Sequence, residues 1–352
     1  MRGGMMKDKI PMMARFVLIA LCGCVAIVCI LKMNESYDPL ARYSYVDAQN
    51  RDVILEYLDD DDIDYIITQN IKPEQFMDFI DIPDFKIHNT LFYSSAKKIQ
   101  DEENSYIVNF INKYREYFSL DACKELLKHY SYADLTSFYE TQQNQVKLVL
   151  NPSNPYVILD AAHSIYKYVP DYLVEYENIL VRQELVNDLK EMQNDYSAMM
   201  NYTDSLTFIS GYSSYEEITN GYVHLQSRLQ GYVDNFYLPA GHNELQLGYT
   251  IILDESQDWN TLCVQEETYN HFDYQNVYAQ LTPEFINKMN WIKNNAHQYG
   301  FIVRYPEGKE EKTGQEYQPF VLRYVGVDTA KEMFESGKIL EEMKNLKELG
   351  SR

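Results

Sequence analysis

Cysteine is scarce in this sequence, and the positions of the few cysteines exclude a cysteine-based metal or redox centre. Of the five, Cys22, Cys24 and Cys29 lie inside one apolar run, so only Cys123 and Cys263 remain in the rest of the chain. Two cysteines so far apart cannot form a C-x-x-C site. We interpret them as two buried thiols, with a single disulfide as the alternative.

Positive charge is also in short supply, and this excludes one class of partner. The chain holds 31 basic and 53 acidic residues, for a net charge of -22. The electrostatic field of such a negatively charged protein repels phosphate backbones. Binding to them would release no counterions. Nucleic acid is therefore excluded as a partner. Because 45% of the residues are hydrophobic and only 24% are charged, a wholly disordered chain is excluded as well.

Charge is absent from one N-terminal segment, residues 16–31, which reads FVLIALCGCVAIVCIL. With Met12–Ala14 and the long side chain of Arg15 it approaches the roughly 20 residues that cross a bilayer. Lys7 and Lys9 precede it, which predicts a cytoplasmic N-terminus and an extracytoplasmic C-terminal part. We therefore predict a cytoplasmic tail and transmembrane anchor over residues 1–33, in contact with the cell membrane through residues 12–32. A cleaved signal peptide, a lipoprotein signal around Cys22–Cys24 and a buried helix are the alternatives.

Residues 34–150 are predicted to form an acidic helical region. Asp59–Asp62 precede IDYIITQ, and acidic residues favour the positive end of a helix dipole, so a helix is expected to begin there. A calcium loop is the alternative, but the run lacks the alternating ligands, central glycine and distal glutamate of such loops. The segments PEQFMDFI, beginning at Pro73, and SYIVNFINKYREYF, beginning at Ser105, are predicted to be further amphipathic helices.

The run NPSNP at residues 151–155 is the clearest break in the chain and marks the predicted domain boundary. Beyond it, five apolar residues recur at helical spacing and predict a helix that faces the core. They are Leu185, Leu189, Met192, Tyr196 and Met199.

Residues 151–345 carry a series of distinctive phrases, followed by a short tail over residues 346–352. The phrases are VPDYLVEY (169–176), ISGYSSYEE (209–217), LPAGHNELQLGY (238–249), NWIKNNAHQYGFIVRYPEGKEEKTG (290–314), QPFVLRYVG (318–326) and ILEEM (339–343). In this order they resemble the VanY-type D-alanyl-D-alanine carboxypeptidases, zinc enzymes that trim the peptide stems of bacterial cell-wall precursors. The resemblance implies an α+β fold, with helices on a mixed, mainly antiparallel sheet. LTFISGY, GYTIILD and PFVLRYVG are its strand candidates.

The resemblance also implies where a zinc site would lie. In the family, a His, an Asp seven residues later and a second His hold the metal, which leaves one position open for water. A Glu acts as the base, and an Arg in an earlier Gly-Tyr-Arg-Ser phrase stabilises charge on the substrate. In this chain the ligand positions are Leu245, Ile252 and Val321, the base position is Gln318, and the Arg position is Ser213.

None of these five residues can perform the role that its position has in the family. The three aliphatic side chains have no lone pair for a metal, and an amide cannot accept a proton at neutral pH. No metal ligand, catalytic residue or cofactor is therefore expected. A relocated metal site using His242, Asp254 or Glu316 is the alternative.

The functional expectation is a catalytically inactive, extracytoplasmic relative that binds peptidoglycan stem peptides or a membrane or cell-wall protein. The first alternative is an active carboxypeptidase with an atypical metal site. The second is an adaptor acting through residues 34–150. Five of the six candidate peptide-binding residues match positions that the family fills alike, and the sixth, Tyr212, lies in the early phrase. The six are Tyr212, Ser214, Tyr215, Glu244, Gln246 and Tyr324.

Overall fold

The computed structural model describes residues 12–35, 37–141, 145–268 and 271–343. By contacts between Cα atoms, the chain divides into two compact units. The first runs up to Lys97 and includes Glu102–Asn112, and the second comprises Lys98–Asp101 and the chain from Lys113 onward. Residues 113–150 thus cluster with the C-terminal part, whereas the boundary predicted from the sequence lies at 150/151. The predicted tail at 346–352 and the first eleven residues of the predicted anchor lie outside the described residues.

The first unit is helical. Its helices are α1 (Met12–Glu35), α2 (Arg51–Tyr57), α3 (Asp60–Thr68), α4 (Thr90–Ile99) and α5 (Asn104–Tyr114), the last two of which end in residues of the second unit. Helix α1 contains a 22-residue apolar stretch, Met12–Met33, in which an 18-residue window has a mean hydropathy of 2.7 and no buried residues. It is long and apolar enough to be a membrane span or a signal sequence.

Two of the three helices predicted in residues 34–118 are confirmed. Helix α3 begins after Asp59, whose side chain accepts a hydrogen bond from the backbone of Asp62, and it buries Ile63 and Ile66. Helix α5 covers the run that begins at Ser105, and a 3-10 turn follows it. The helix predicted from Pro73 is wrong: only a 3-10 turn, Pro73–Gln75, forms there. The next residues make tight turns that still bury Phe76 and Ile80.

The second unit contains helices and short strands in alternation. The helices are α6 (Leu120–His129), α7 (Tyr132–Thr141), α8 (Val186–Met199), α9 (Tyr215–Arg228), α10 (Val233–Phe236), α11 (Ser256–Gln265), α12 (Tyr274–Gln280), α13 (Pro283–Asn295), α14 (Glu310–Thr313) and α15 (Val327–Ser336). The strands are β1 (Lys147–Leu148), β2 (His163–Ser164), β3 (Leu173–Tyr176), β4 (Ile179–Arg182), β5 (Phe208–Ser210), β6 (Thr250–Leu253), β7 (Glu267–Thr268), β8 (His271–Phe272), β9 (Phe301–Tyr305) and β10 (Gln318–Tyr324).

A four-stranded antiparallel sheet with strand order β5-β6-β10-β9 forms the centre of this unit. All three predicted strands are present as β5, β6 and β10. Strands β3 and β4 form a separate antiparallel pair, β7 and β8 another, and β1 and β2 pair in parallel. The predicted α+β fold is therefore confirmed, and its central sheet is antiparallel throughout.

Helices cover the sheet. The spacing of apolar residues in the sequence predicts which of their faces are buried. Leu185, Leu189, Met192 and Tyr196 are buried at and along α8, as predicted, whereas Met199 at the end of the helix is half exposed. Burying a large apolar side chain contributes about 1.5–3 kcal/mol to folding. Cys123 and Cys263 are both buried and free, so the two-thiol interpretation is confirmed.

One glycine is needed where the chain enters the sheet. Gly300 has a φ of +81° and connects the 3-10 turn Ala296–Tyr299 to β9. A Cβ atom there would lie 2.7 Å from the ring of Tyr324, so any side chain would force that ring to move. The phrase NAHQYGF thus forms the turn that aligns β9 against β10.

Candidate functional site

The three positions that the resemblance identifies with metal ligands meet at one point of the sheet. Ile252 on β6 lies directly opposite Val321 on β10. Paired residues of adjacent antiparallel strands project on the same face, with Cβ atoms roughly 4.5–5.5 Å apart. Leu245, on a 3-10 turn, joins them around a cavity of about 20 Å³. A space of this size is too small for a peptide.

Local hydrogen bonds fix the turn that carries Leu245. The Asn243 side chain accepts a hydrogen bond from the Leu245 backbone at 3.0 Å. Gly248, in the left-handed conformation, ends the turn. The side chain of Gln246 accepts a hydrogen bond from the Gly241 backbone and donates one to the carbonyl of Tyr166. The turn is therefore rigidly placed against the sheet.

Behind this turn lies a buried ion network. Glu244 accepts hydrogen bonds from Arg304 at 2.8–2.9 Å and from Arg323 at 3.2 Å, and all three side chains are at most 2% exposed. Arg304 also donates to Glu341 at 2.7 Å. Burial alone would raise the pKa of Glu244, but the two guanidinium charges outweigh it and hold its pKa below the ordinary value.

Gln318, at the family's base position, is the first residue of β10 and lines the same cavity. Its side chain is 2% exposed, and its Nε2 has no hydrogen-bond partner among the described residues. Ser213, at the family's Arg position, lies beside Leu245, because its backbone donates to the Leu245 carbonyl at 3.4 Å. The structure thus brings all five positions together at one site.

The candidate peptide-binding residues fall into two groups. Glu244 and Gln246 are buried and make the contacts described above, and their role in binding peptide stays a prediction. Ser214 caps α9 by accepting from the Glu217 backbone, and the Tyr324 hydroxyl donates to Asp188 at 2.6 Å. Tyr212 and Tyr215 are partly buried near the start of α9.

A second cavity of about 230 Å³ adjoins the first and shares Leu245, Ile252 and Gln318 with it. It also contains Asn260 of α11, whose Oδ1 is buried and has no hydrogen-bond partner among the described residues. No sequence signal marks Asn260, because α11 contains none of the phrases that resemble the VanY-type family. We refer to this second cavity as the peptide groove.

The side chains around this site do not fit zinc. Structural and catalytic zinc sites use imidazole, thiolate or carboxylate ligands, and the three converging side chains are aliphatic. Over the described ranges, no cluster of three or more His, Cys, Asp or Glu side chains is arranged to hold a metal. Of the residues considered for a relocated site, His242 contacts the carbonyl of Asp160, and Glu316 accepts from the Tyr274 hydroxyl.

Comparison with known proteins assigns the family. The sequence model of VanY, D-alanyl-D-alanine carboxypeptidase, matches residues 178–327. Residues 178–327 belong to the VanY-type family. The matched segment contains the site just described, from β4 to the start of α15.

Individual relatives are similar to part of this chain. A D-alanyl-D-alanine carboxypeptidase of Enterococcus faecium is 31% identical over 172 residues, which are 49% of this chain and 46% of that protein. A putative carboxypeptidase of Bacillus subtilis strain 168, YodJ, is 27% identical over 210 residues, 58% of this chain and 69% of the relative. The alignment therefore spans about half the length of the Enterococcus protein.

Among solved structures, a Zn(II) complex of the VanY D,D-pentapeptidase from a VanB-type resistance cassette is similar to this chain. It has 19% sequence identity and a TM-score of 0.39, and the match covers 53% of this chain and 97% of that chain.

Proposed function

We propose that this protein is a catalytically inactive VanY-type protein, anchored in the cell membrane, whose extracytoplasmic domain binds cell-wall stem peptides weakly. The observation that carries the proposal is the convergence of Leu245, Ile252 and Val321 around one small cavity. Aliphatic side chains offer a metal no lone pair, and they stabilise the fold by packing where zinc ligands would leave a polar site.

The neighbouring positions support inactivity independently. Gln318 has nearly the shape of a glutamate, but its amide cannot take a proton from an attacking water. Ser213 has no charge with which to stabilise a developing oxyanion. Restoring a single position would therefore not restore the reaction.

Binding is supported by the polar atoms of the peptide groove. The Nε2 of Gln318 is a donor, the Oδ1 of Asn260 is an acceptor, and each is buried without a partner among the described residues. A peptide group offers one acceptor and one donor, so it can satisfy both. Buried groups of this kind cost about 1–3 kcal/mol while unsatisfied, which favours an occupant that completes their hydrogen bonds.

A titration tests this binding role. We expect a pentapeptide ending in D-Ala-D-Ala to bind with a Kd nearer millimolar than micromolar, because the metal and the charged Arg contact are replaced. The methyl groups of Leu245, Ile252 and Val321 are direct NMR probes, and the same peptide ending in L-Ala is the control. Shifts of these methyls with the D-Ala peptide alone support the proposal. Their absence at several millimolar peptide would favour the adaptor function of residues 34–150.

Membrane anchoring is supported by the apolar stretch Met12–Met33 and by the lysines that precede it. Positive charge on the N-terminal side favours an inside N-terminus. We expect protease added to intact protoplasts to digest nearly the whole protein and to leave a short fragment around residues 1–33. Full protection would place the domain in the cytoplasm, and release of the protein into the medium would show that the segment is cleaved.

A further inference from the structure

A cavity of about 680 Å³, separate from the peptide groove, lies within the second unit. Its walls come from α6, α7, strand β1 and the segment 156–163, so most of it falls outside the residues that match the VanY family. The volume is within the roughly 300–1,000 Å³ of typical ligand sites. We call it the β1 groove.

The free edge of a strand forms one wall of the β1 groove. Strand β1 pairs with β2 alone among the described strands. The backbone N–H groups of Lys147 and Val149 donate toward β2, at 2.7 Å to Ala162 and 2.9 Å to Ser164. Successive residues of a strand direct their backbone groups to opposite sides. The N–H and C=O of Leu148 therefore point away from β2, and Leu148 lines the groove.

The opposite wall is apolar and aromatic. Leu126 of α6 and Phe138 of α7 are buried at its base, and Tyr139 stacks on Tyr117 with ring centroids 4.9 Å apart. Ile158 contributes a further aliphatic surface. A ligand here would meet hydrogen-bonding groups along one side and apolar pockets along the other, which is how a sheet edge accepts an added strand.

Charged side chains of both signs line the groove, and one lysine among them has no ion-pair partner among the described residues. Lys312 is paired with Glu342, Glu341 with Arg304, and Asp160 with His163 at 2.8 Å. Lys147 is exposed and makes no ion pair among the described residues, although the protein as a whole is strongly acidic. Lys147 is thus a cation beside the groove with which a carboxylate of a ligand can pair.

We propose that the β1 groove binds an extended polypeptide segment of a partner protein, which adds as a strand to β1, places alternate apolar side chains against α6 and α7, and pairs a carboxylate with Lys147. The backbone of Leu148 supplies the central donor and acceptor. This site is independent of the peptide groove and of the family's reaction.

A phage-displayed library of random heptapeptides, panned against the full-length protein in detergent, tests the proposal. We expect enriched peptides to have apolar residues at alternate positions and at least one acidic residue. Leu148→Pro removes the outward N–H but no internal bond, and proline is tolerated on free edges, so the fold should persist. It should weaken binding of the enriched peptides about tenfold, whereas Leu148→Ala, which keeps the N–H, should change it little.

Lys147→Glu provides a second variant that cannot unfold the protein through lost packing, because Lys147 is exposed. It should weaken acidic peptides up to about fivefold at low salt, with less effect at high salt. Failure to enrich any sequence would overturn the proposal, and so would enriched peptides that bind Leu148→Pro as tightly as the unaltered protein. If the enriched peptides bind Lys147→Glu as tightly as the unaltered protein, the proposed pairing of a carboxylate with Lys147 is wrong.

Discussion

Leu245→His, Ile252→Asp and Val321→His, introduced together, are expected to give a protein that holds about one zinc ion per chain. The three side chains line one cavity, and Ile252 and Val321 are register partners on adjacent strands, so the new ligands would converge. Without zinc the triple variant should be less stable than the unaltered protein, because it buries polar groups in place of packed methyl groups. Added zinc should raise its melting temperature.

The matched control replaces the same three residues with alanine. It loses the same packing but gains no metal ligand, so it should bind no zinc and show no stabilisation by it. The zinc content is determined by elemental analysis after dialysis. The melting temperature is measured by thermal unfolding with and without zinc. If the His-Asp-His variant folds but retains no more zinc than the alanine control, these positions do not correspond to the family's ligands.

Glu244→Ala is expected to lower the free energy of unfolding by about 3–5 kcal/mol, because it leaves the guanidinium groups of Arg304 and Arg323 buried without their shared carboxylate. Glu140→Ala is the control. It breaks an ion pair with Lys113 in which both side chains are more than half exposed, and it should cause no measurable change. Denaturant unfolding followed by circular dichroism compares the two variants. Equal stability of Glu244→Ala and the unaltered protein would contradict the proposed role of the network.

The same network predicts a pH dependence. The pKa of Glu244 is lower in the folded protein than its ordinary value of about 4.3. Its ionised form therefore stabilises the fold above that value, and this contribution is lost as the pH falls through the folded-state pKa. The stability difference between the unaltered protein and Glu244→Gln should narrow on acidification below about pH 4. A difference that stays constant down to pH 2 would mean that Glu244 is not the titrating group.

The sequence predicted those parts of the fold whose signals are local. Strands β5, β6 and β10 follow from dense apolar runs, and α3 follows from the acidic residues at its start. The helix expected at Pro73 did not form, because apolar side chains at suitable spacing are buried equally well by successive tight turns. In a short segment, the spacing of apolar residues alone cannot distinguish a helix from successive tight turns.

The position of the site could be predicted from the sequence, but the contacts that surround it could not. Order and spacing of the phrases were enough to identify Leu245, Ile252 and Val321, which the structure places around one cavity. Nothing in the sequence indicated that Glu244 is buried against Arg304 and Arg323, because 60 and 79 residues separate the partners. The β1 groove was missed for the same reason, since its walls combine residues from 117 to 341.

The zinc content of the unaltered full-length protein is the most direct test of the central claim. The protein is purified in detergent, dialysed against zinc-containing and then zinc-free buffer, and its metal is determined by mass spectrometry. A catalytically active member of the family, treated in parallel, shows that the procedure preserves a zinc site. Because Leu245, Ile252 and Val321 offer no ligand, we predict no zinc above the level of the dialysis buffer. About one zinc per chain would contradict this account and show that other residues of the protein hold the metal.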